Sequence, residues 1–272
     1  MRHEIKRAPK AVILADGAGS GLLSQTGDCP TCLLSVGRSA ILERMIRNCL
    51  SYGISQYVVV LGHKADQIKD FVDAAFRGVR VTYIINDQYQ KTNTSHSLML
   101  ASPAIGASGF IKLDARVVFD GQILRRLLDT DLSDVLCIDR GALIEGAVKV
   151  VANDEMRVQD IGRHINPKTA LGTCIGIEKI SATIAPTLFS ELSGMVKSAA
   201  HGQDTHEVAY ASLIAQGTNF HALDVTGMDW TAINTDEDLA TANAMFVSPI
   251  TTVSREHQRL LDSAAGKKTM TL

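Results

Sequence analysis

Three places in this 272-residue chain combine residue types that could do chemistry. The first is an apolar run, Ala11 to Ala15, that passes into Asp16 and Gly17 and then Gly19, Ser20 and Gly21. A glycine-rich turn after a strand can present backbone N–H groups to phosphate oxygens, because nothing at Cβ keeps the ligand away. Many strand-to-helix turns contain two glycines for conformational reasons alone, so the spacing by itself leaves both readings open. The turn lacks the third glycine and immediate helix of a dinucleotide fingerprint, and the Lys-Ser/Thr of a P-loop. It carries a carboxylate, Asp16, and no basic residue. The second place is the pair Cys29 and Cys32, which has redox spacing. It has no second pair to complete a zinc site and falls in a loop, so two ordinary reduced thiols are expected. The third is Asp114 and Arg116, two residues apart and therefore on one face of a strand.

Composition narrows the class of protein. Hydrophobic residues make up 46% and charged residues 21%, with a net charge of -2, which describes a soluble globular chain and gives a nucleic-acid partner no support. The basic start, Met1 to Lys10, is followed by only five apolar residues before Asp16. That is too short for a secretory or membrane-spanning segment, so no membrane partner and a cytoplasmic location are expected. Five cysteines, an odd number, argue against a disulfide framework.

The elements that must position these residues alternate between strand and helix. Ala11 to Ala15 reads as a strand buried on both faces. Ala40, Ile41, Met45, Ile46, Cys49 and Leu50 recur at helical spacing behind a possible cap at Ser39. Tyr57 to Leu61, Val79 to Ile85 and Phe110 to Leu113 read as strands, with helices at Ala65 to Phe76 and Ser95 to Ala101. Such repetition implies a largely parallel sheet with right-handed crossovers. From Val135 onward the segments shorten and alternate, at Ala147 to Val151, Met156 to Ile161 and Cys174 to Ile180, which suits an antiparallel extension. Helical patterns return at Ile184 to Met195, His206 to Ala215 and Glu237 to Met245, with a strand at Phe220 to Val225.

Ala11 to Leu34, followed by Gly37 and Ile41 to Arg44, resembles the opening of the sugar-phosphate and alcohol-phosphate nucleotidyltransferases. Gly62 to Ala65, Asn86 to Tyr89, Thr92-Asn93, Ser97-Leu98, Lys112 to Asp120 and Trp230 to Leu239 resemble cytidylyltransferases acting on phosphocholine, inositol phosphate or phosphonates. The likeness implies an α/β fold with a Rossmann-like, mostly parallel sheet of the glycosyltransferase-A-like type and an antiparallel accessory lobe. It implies one nucleotidyltransferase-like domain over residues 1–247 and a C-terminal tail over 248–272. It also implies that the glycine loop wraps a nucleotide while the segment Asn86 to Ser97 helps to hold base and ribose. Ala15, Gly17, Gly19, Ser20, Asn86, Thr92, Asn93 and Ser97 thereby become candidate nucleotide contacts, although Thr92 or Ser97 could instead cap the following helix. Arg163 falls where the relatives have a phosphate-binding lysine, a point charge with a different fit.

The departures from the family pattern fall on its chemistry. That reaction joins the phosphate of an acceptor to the α-phosphate of a nucleoside triphosphate, with Mg²⁺ and basic side chains neutralising the developing charge. Here the loop arginine is Gly21, the lysine after proline is Thr31, one metal aspartate is Arg116, and a second acidic motif reads Ala232 and Asn234. These degenerate positions leave the catalytic residues unassigned. Asp16 stands where the family has alanine and would repel a polyanion.

Two readings follow from these departures. One is a pseudoenzyme that needs no cofactor, binds a nucleotide or phosphorylated small molecule with Arg116 and Arg163 at its phosphate, and pairs with itself or with an active relative. The alternative is an active nucleotidyltransferase in which Asp114 and Asn234 hold Mg²⁺ and Arg163 or Lys149 supplies charge.

Overall fold

A computed structural model of the protein describes residues 9–17, 29–144, 146–198 and 204–246. Gly19, Ser20 and Gly21, and the expected tail over 248–272, lie outside the described residues.

The first strand, β1 (Lys10–Ala15), shows why the apolar run is unbroken. Ala11, Ile13 and Ala15 enter one core while Val12 and Leu14 enter another on the opposite face of the sheet, so no position is left for a polar residue. A small hairpin of β2 (Ser35–Val36) and β3 (Ser39–Ala40) leads into α1 (Ile41–Ser51). The expected cap Ser39 pairs with Val36 in that hairpin, and the helix starts from Ala40 without a side-chain cap. Then come β4 (Gln56–Leu61), α2 (Ala65–Ala75), β5 (Arg80–Ile85), α3 (Thr94–Leu100) and the single turn α4 (Ser102–Ile105). The next elements are β6 (Phe110–Asp114), β7 (Val117–Phe119), α5 (Gln122–Asp129) and β8 (Val135–Asp139). Helix α5 was not among the expected elements, although it buries Ile123, Leu124 and Leu127 at helical spacing.

The remaining strands are β9 (Lys149–Ala152), β10 (Val158–Gly162) and the long β11 (Gly172–Ile180). Strand β10 begins two residues later than Met156, because Met156 has φ 62 and closes a turn onto Asn153. Helices α6 (Ala185–Lys197) and α7 (His206–Ala215) follow, then β12 (His221–Asp224), β13 (Trp230–Ala232) and α8 (Asp236–Met245). Thr235 starts α8 with a capping box to Asp238.

Nine strands form one sheet in the order β10-β9-β11-β6-β1-β4-β5, with β8 beside β11 and β12 beside β8. Neighbours among β5, β4, β1 and β6 are parallel, as are β8 and β12, whereas β11 runs antiparallel to β6, β8 and β9. The expected antiparallel part is therefore a lateral extension of the sheet. The chain moves outward from β1 to β4 and β5, then crosses back to place β6 on the other side of β1. The crevice beyond the carboxyl ends of strands at such a reversal is where open α/β sheets bind ligands.

Candidate functional site

A cleft of about 700 Å³ opens at that reversal, walled by the residues that leave β1 and β6. Ala15, Asp16 and Gly17 line it from the end of β1; Asp114, Ala115 and Arg116 line it from the end of β6. A second cleft of about 570 Å³ adjoins it and shares Asp114, Arg116, Arg163, Glu207 and Asn234.

The wall beside β1 is built from short polar side chains. The backbone of Asp16 is fixed by His63, whose N–H reaches the Asp16 carbonyl at 3.1 Å. Its carboxylate accepts hydrogen bonds from Ser97 Oγ and, at 3.0 Å, from Asn86 Nδ2. Asn86 also reaches Thr92 Oγ1 at 3.2 Å, and its carbonyl oxygen accepts from the N–H of Gln88 at 3.0 Å. Asn86 and Ser97 are fully buried, so of the candidate nucleotide contacts in this segment it is Asn93 that faces the cleft. Asn93, rather than Thr92 or Ser97, caps α3, accepting from the N–H of Thr94 at 2.8 Å. The Asp16 charge expected to repel a polyanion is thus turned onto two donors of its own wall.

Beside β6 the wall is ionic. Residues two apart on a strand share a face, and the register sets Lys112 directly opposite Glu178 on β11. Lys112 Nζ accordingly meets Asp114 at 2.8 Å and Glu178 at 3.2 Å with none of its side chain exposed. Tyr210 donates its hydroxyl to the other Glu178 oxygen at 3.2 Å. The Asp114 carboxylate packs against a bulge at Gly176, where φ is +80 and an added Cβ would fall 2.5 Å from Asp114 Oδ2. Both the backbone conformation and the close approach require glycine there. Helix α7 supplies His206 and Glu207, tied to α3 through His206 Nδ1 and Thr94 Oγ1 at 2.9 Å. Burial works to raise the Asp114 pKa, but Lys112 foremost, then His206 and Arg116, outweigh it and leave the carboxyl below its ordinary value. Burial likewise works to lower the pKa of Lys112, yet Asp114, Glu178 and Glu207 raise it above its ordinary value.

Between the two walls stands the corner where the resemblance leads one to expect a metal site. Strand β13 pairs antiparallel with β7, matching Ala232 to Val117, and the N–H of Ile233 reaches the carbonyl of Arg116 at 2.9 Å. That register brings Asn234 beside Arg116, whose Nη1 donates to Asn234 Oδ1 at 2.7 Å. Magnesium takes carboxylate, carbonyl and water oxygens, and a guanidinium offers none. Asp114 is committed to Lys112, and among the described residues no three His, Cys, Asp or Glu side chains are grouped to hold a metal ion. The residues present do not fit the ion.

Other expected residues are distributed as follows. Arg163 borders both clefts and donates to the carbonyl of Gly146. Thr31 and Cys32 line the first cleft and Ala232 the second. Lys149 borders neither: it is 2% exposed, with Nζ on the carbonyl of Ala147 at 2.8 Å. Cys29 and Cys32 are both free thiols, and burial pushes Cys32 up to about 12, far from a reactive thiolate. Cys32 sits in a one-turn 3₁₀ helix, Thr31–Leu33, rather than a loop. Glu178, His206, Glu207 and Tyr210 were not found by sequence reasoning. The available signal was a lysine in β6 and a glutamate in β11, each flanked by apolar residues on its N-terminal side.

Residues 10–135 match the nucleotidyl transferase family. The chain is similar to that family over those residues, a little under half of its length. It is 24% identical over 264 residues to the CMP-5'-(3-aminopropyl)phosphonate synthase of Streptomyces rubellomurinus, covering 94% of this chain and 41% of that protein. It is 28% identical over 155 residues to the choline-phosphate cytidylyltransferase of Streptococcus pneumoniae, covering 56% of this chain and 62% of that one. The chain thus spans well under two thirds of the aminopropylphosphonate synthase and slightly under two thirds of the choline-phosphate enzyme. The inositol-1-phosphate CTP transferase of T. maritima has the same fold, with a TM-score of 0.73 at 19% identity over 89% of this chain and 99% of that one. The residues that match the family contribute the β1 turn, Asn93, Thr94 and the end of β6 to the cleft, while Arg163, Glu207 and Asn234 come from beyond them.

Proposed function

We propose that this chain is a nucleotidyltransferase-like pseudoenzyme that binds a nucleotide or phosphorylated small molecule without magnesium. The observation that carries the reading is the 2.7 Å hydrogen bond from Arg116 to Asn234, a guanidinium and an amide where magnesium would need carboxylates. Arg116 then offers a fixed positive charge to a phosphate and stands in for the ion. Residues 18–28 add no lysine or arginine to the loop, so a triphosphate brings more negative charge than the cleft can neutralise. A monophosphate or a nucleotide-linked product is the better fit. The active alternative needs Asp114 as a metal ligand, and it meets a carboxylate already paired with Lys112 at 2.8 Å.

The test is calorimetric titration of CMP, CDP and CTP with and without Mg²⁺, on the wild type and on Arg116→Ala. Metal-independent binding with CMP held at least as tightly as CTP, and weakened by Arg116→Ala, is expected. CTP binding tightest and only with Mg²⁺, or pyrophosphate release that vanishes on Asp114→Asn, would sink the reading.

A further inference from the structure

The two clefts that share Arg116 and Arg163 are lined differently. The first is bordered by the hydroxyl and amide side chains of Thr31, Asn93 and Thr205. The second adds apolar side chains that the fold leaves partly or largely uncovered: Ile144 and Ala147 from the segment before β9, and Trp230 and Ala232 from β13. Ile144 is 51% exposed, and with its neighbour Leu143 it accounts for two of the six large apolar side chains left exposed among the described residues. Its place is fixed through the backbone. The Ile144 N–H donates to Thr173 Oγ1 at 3.4 Å, its carbonyl accepts from the N–H of Ala147 at 3.2 Å, and Arg163 donates to the carbonyl of Gly146 in the same turn. Trp230 is fixed as firmly, with Nε1 on Asp139 Oδ2 at 2.8 Å and the residue packed against the core. An apolar surface held in place beside two cations suits an amphipathic ligand, because covering it is favourable and nothing in the fold does so.

The polar side chains of this cleft are already engaged. Asp139 also accepts from the N–H of Gly141 at 2.7 Å, and Asp238 accepts from the N–H groups of Asn234 and Thr235 at 2.9 Å each. Asp114 faces Lys112 at 2.8 Å, and Glu207 has a hydrogen bond with Thr205. Asn234 accepts from Arg116 at 2.7 Å and donates its Nδ2 to the carbonyl of Ala232 at 3.2 Å. A polyol brought here would exchange water for groups that the fold already uses, whereas an alkyl or aryl group needs no partner beyond Ile144 and Trp230.

We propose that the second cleft seats the apolar group, alkyl or aryl, of a phosphomonoester or phosphonate whose oxyanion meets Arg116 and Arg163. This rests on the reading that Arg116 holds phosphate, and it narrows the ligand to one whose other end carries neither hydroxyls nor charge.

The experiment is calorimetric titration of the full chain with methyl-, ethyl- and n-butylphosphonate, 2-aminoethylphosphonate and glucose 1-phosphate. Each methylene taken fully out of water strengthens binding by about fourfold, so n-butylphosphonate is expected to bind at least about tenfold more tightly than methylphosphonate. Trp230 is the single tryptophan of the chain, so its emission should move to shorter wavelength with n-butylphosphonate and not with methylphosphonate. Ile144→Ser, at an exposed position that tolerates the change, should flatten the series, and Arg116→Ala should weaken every member of it. Equal affinity across the alkyl series would overturn the apolar seat and leave the phosphate role of Arg116 standing. Glucose 1-phosphate or 2-aminoethylphosphonate binding as tightly as n-butylphosphonate would do the same. A chain-length dependence that survives Ile144→Ser, or that leaves Trp230 emission unmoved, would overturn it too. So would a dimer in sedimentation that Ile144→Ser disperses, since a second copy would then cover this face. Affinity that rises with chain length but ignores Arg116→Ala would overturn the phosphate reading and the orientation that depends on it. Binding by none of the ligands would overturn both.

Discussion

Lys112 and Arg116 stand four residues apart on either side of the end of β6, and they are held in opposite ways. Lys112 is fully enclosed, with Asp114 at 2.8 Å and Glu178 at 3.2 Å, and Glu178 is itself held by Tyr210. Arg116 is exposed, and among the described residues its side chain donates one hydrogen bond, to Asn234. An ion taken out of water must keep its partners, or the fold pays for an uncompensated charge. An exposed guanidinium keeps its hydration, and its single contact adds little. The frame of the cleft is therefore set by groups that cannot be changed one at a time, and the chemistry of its corner by groups that can. On the proposed reading, residues at the corner can change without disturbing the sheet beneath.

The sharpest way to break this comparison is Lys112→Met. It leaves Asp114 and Glu178 without their buried cation and should cost about 3 to 5 kcal/mol in urea denaturation. The double change Lys112→Met, Glu178→Leu should recover much of that loss, because it removes a buried pair rather than half of one. A Lys112→Met protein as stable as the wild type would show that the inner wall is no more constrained than the corner.

The β1 wall provides an intermediate case. Asp16→Ala takes the acceptor from Ser97 Oγ and from Asn86 Nδ2, both fully buried, and should cost about 1 to 3 kcal/mol by the same measurement. Asn86 keeps a neighbour in Thr92 Oγ1 at 3.2 Å, which places the expected loss below that of Lys112→Met. No measurable loss would mean that the Asp16 carboxylate faces the ligand space and not its own wall.

Acid should expose the ionic wall selectively. Asp114 and Glu207 have folded-state pKa values below their ordinary ones, so the stability they contribute is present above about pH 4 and is lost as pH falls through the folded values. Between about pH 4 and pH 2 the wild type should lose stability more steeply than Asp114→Asn, read by urea midpoints across the range. Lys112, raised in the fold, works at the other extreme: its contribution is complete below its unfolded pKa near 10.4 and is lost only as pH climbs through the folded value. Parallel acid limbs for wild type and Asp114→Asn would remove Asp114 from the wall.

The repeating part of this architecture was legible because burial on both faces writes itself into composition. Ala11 to Ala15 and Tyr57 to Leu61 have no position facing water, and a continuous apolar run is the result. Helix α5 was missed although Ile123, Leu124 and Leu127 carried its period, because the segment is only eight residues long. At the site, Arg116 and Asn234 were singled out separately, and only the β13 to β7 register brings them together across a separation of 118 residues. The Lys112 cluster left less trace. Its members come from β6, β11 and α7, and a charge within a mostly buried strand does not say which distant residue answers it. Asn86 and Ser97 matched a family pattern for nucleotide contacts, yet their burial depends on where Asp16 turns, which no local spacing encodes.

The smallest expected effect is the most discriminating. Arg116→Ala removes an exposed side chain with one hydrogen bond, and Asn234 stays in place through the backbone, since its N–H reaches Asp238 Oδ2 at 2.9 Å. Stability should change by no more than about 0.5 kcal/mol, while binding of a phosphorylated ligand should fall because the corner loses its cation. Arg116→Lys sharpens the point: the charge remains, but the planar fork that meets Asn234 and a phosphate together does not. Affinity for CMP should therefore lie between those of wild type and Arg116→Ala, with the melting temperature unmoved in all three. Should Arg116→Ala instead lower stability by more than about 1 kcal/mol, the corner would belong to the frame, and the replacement of carboxylates there would be a structural change before it was a chemical one.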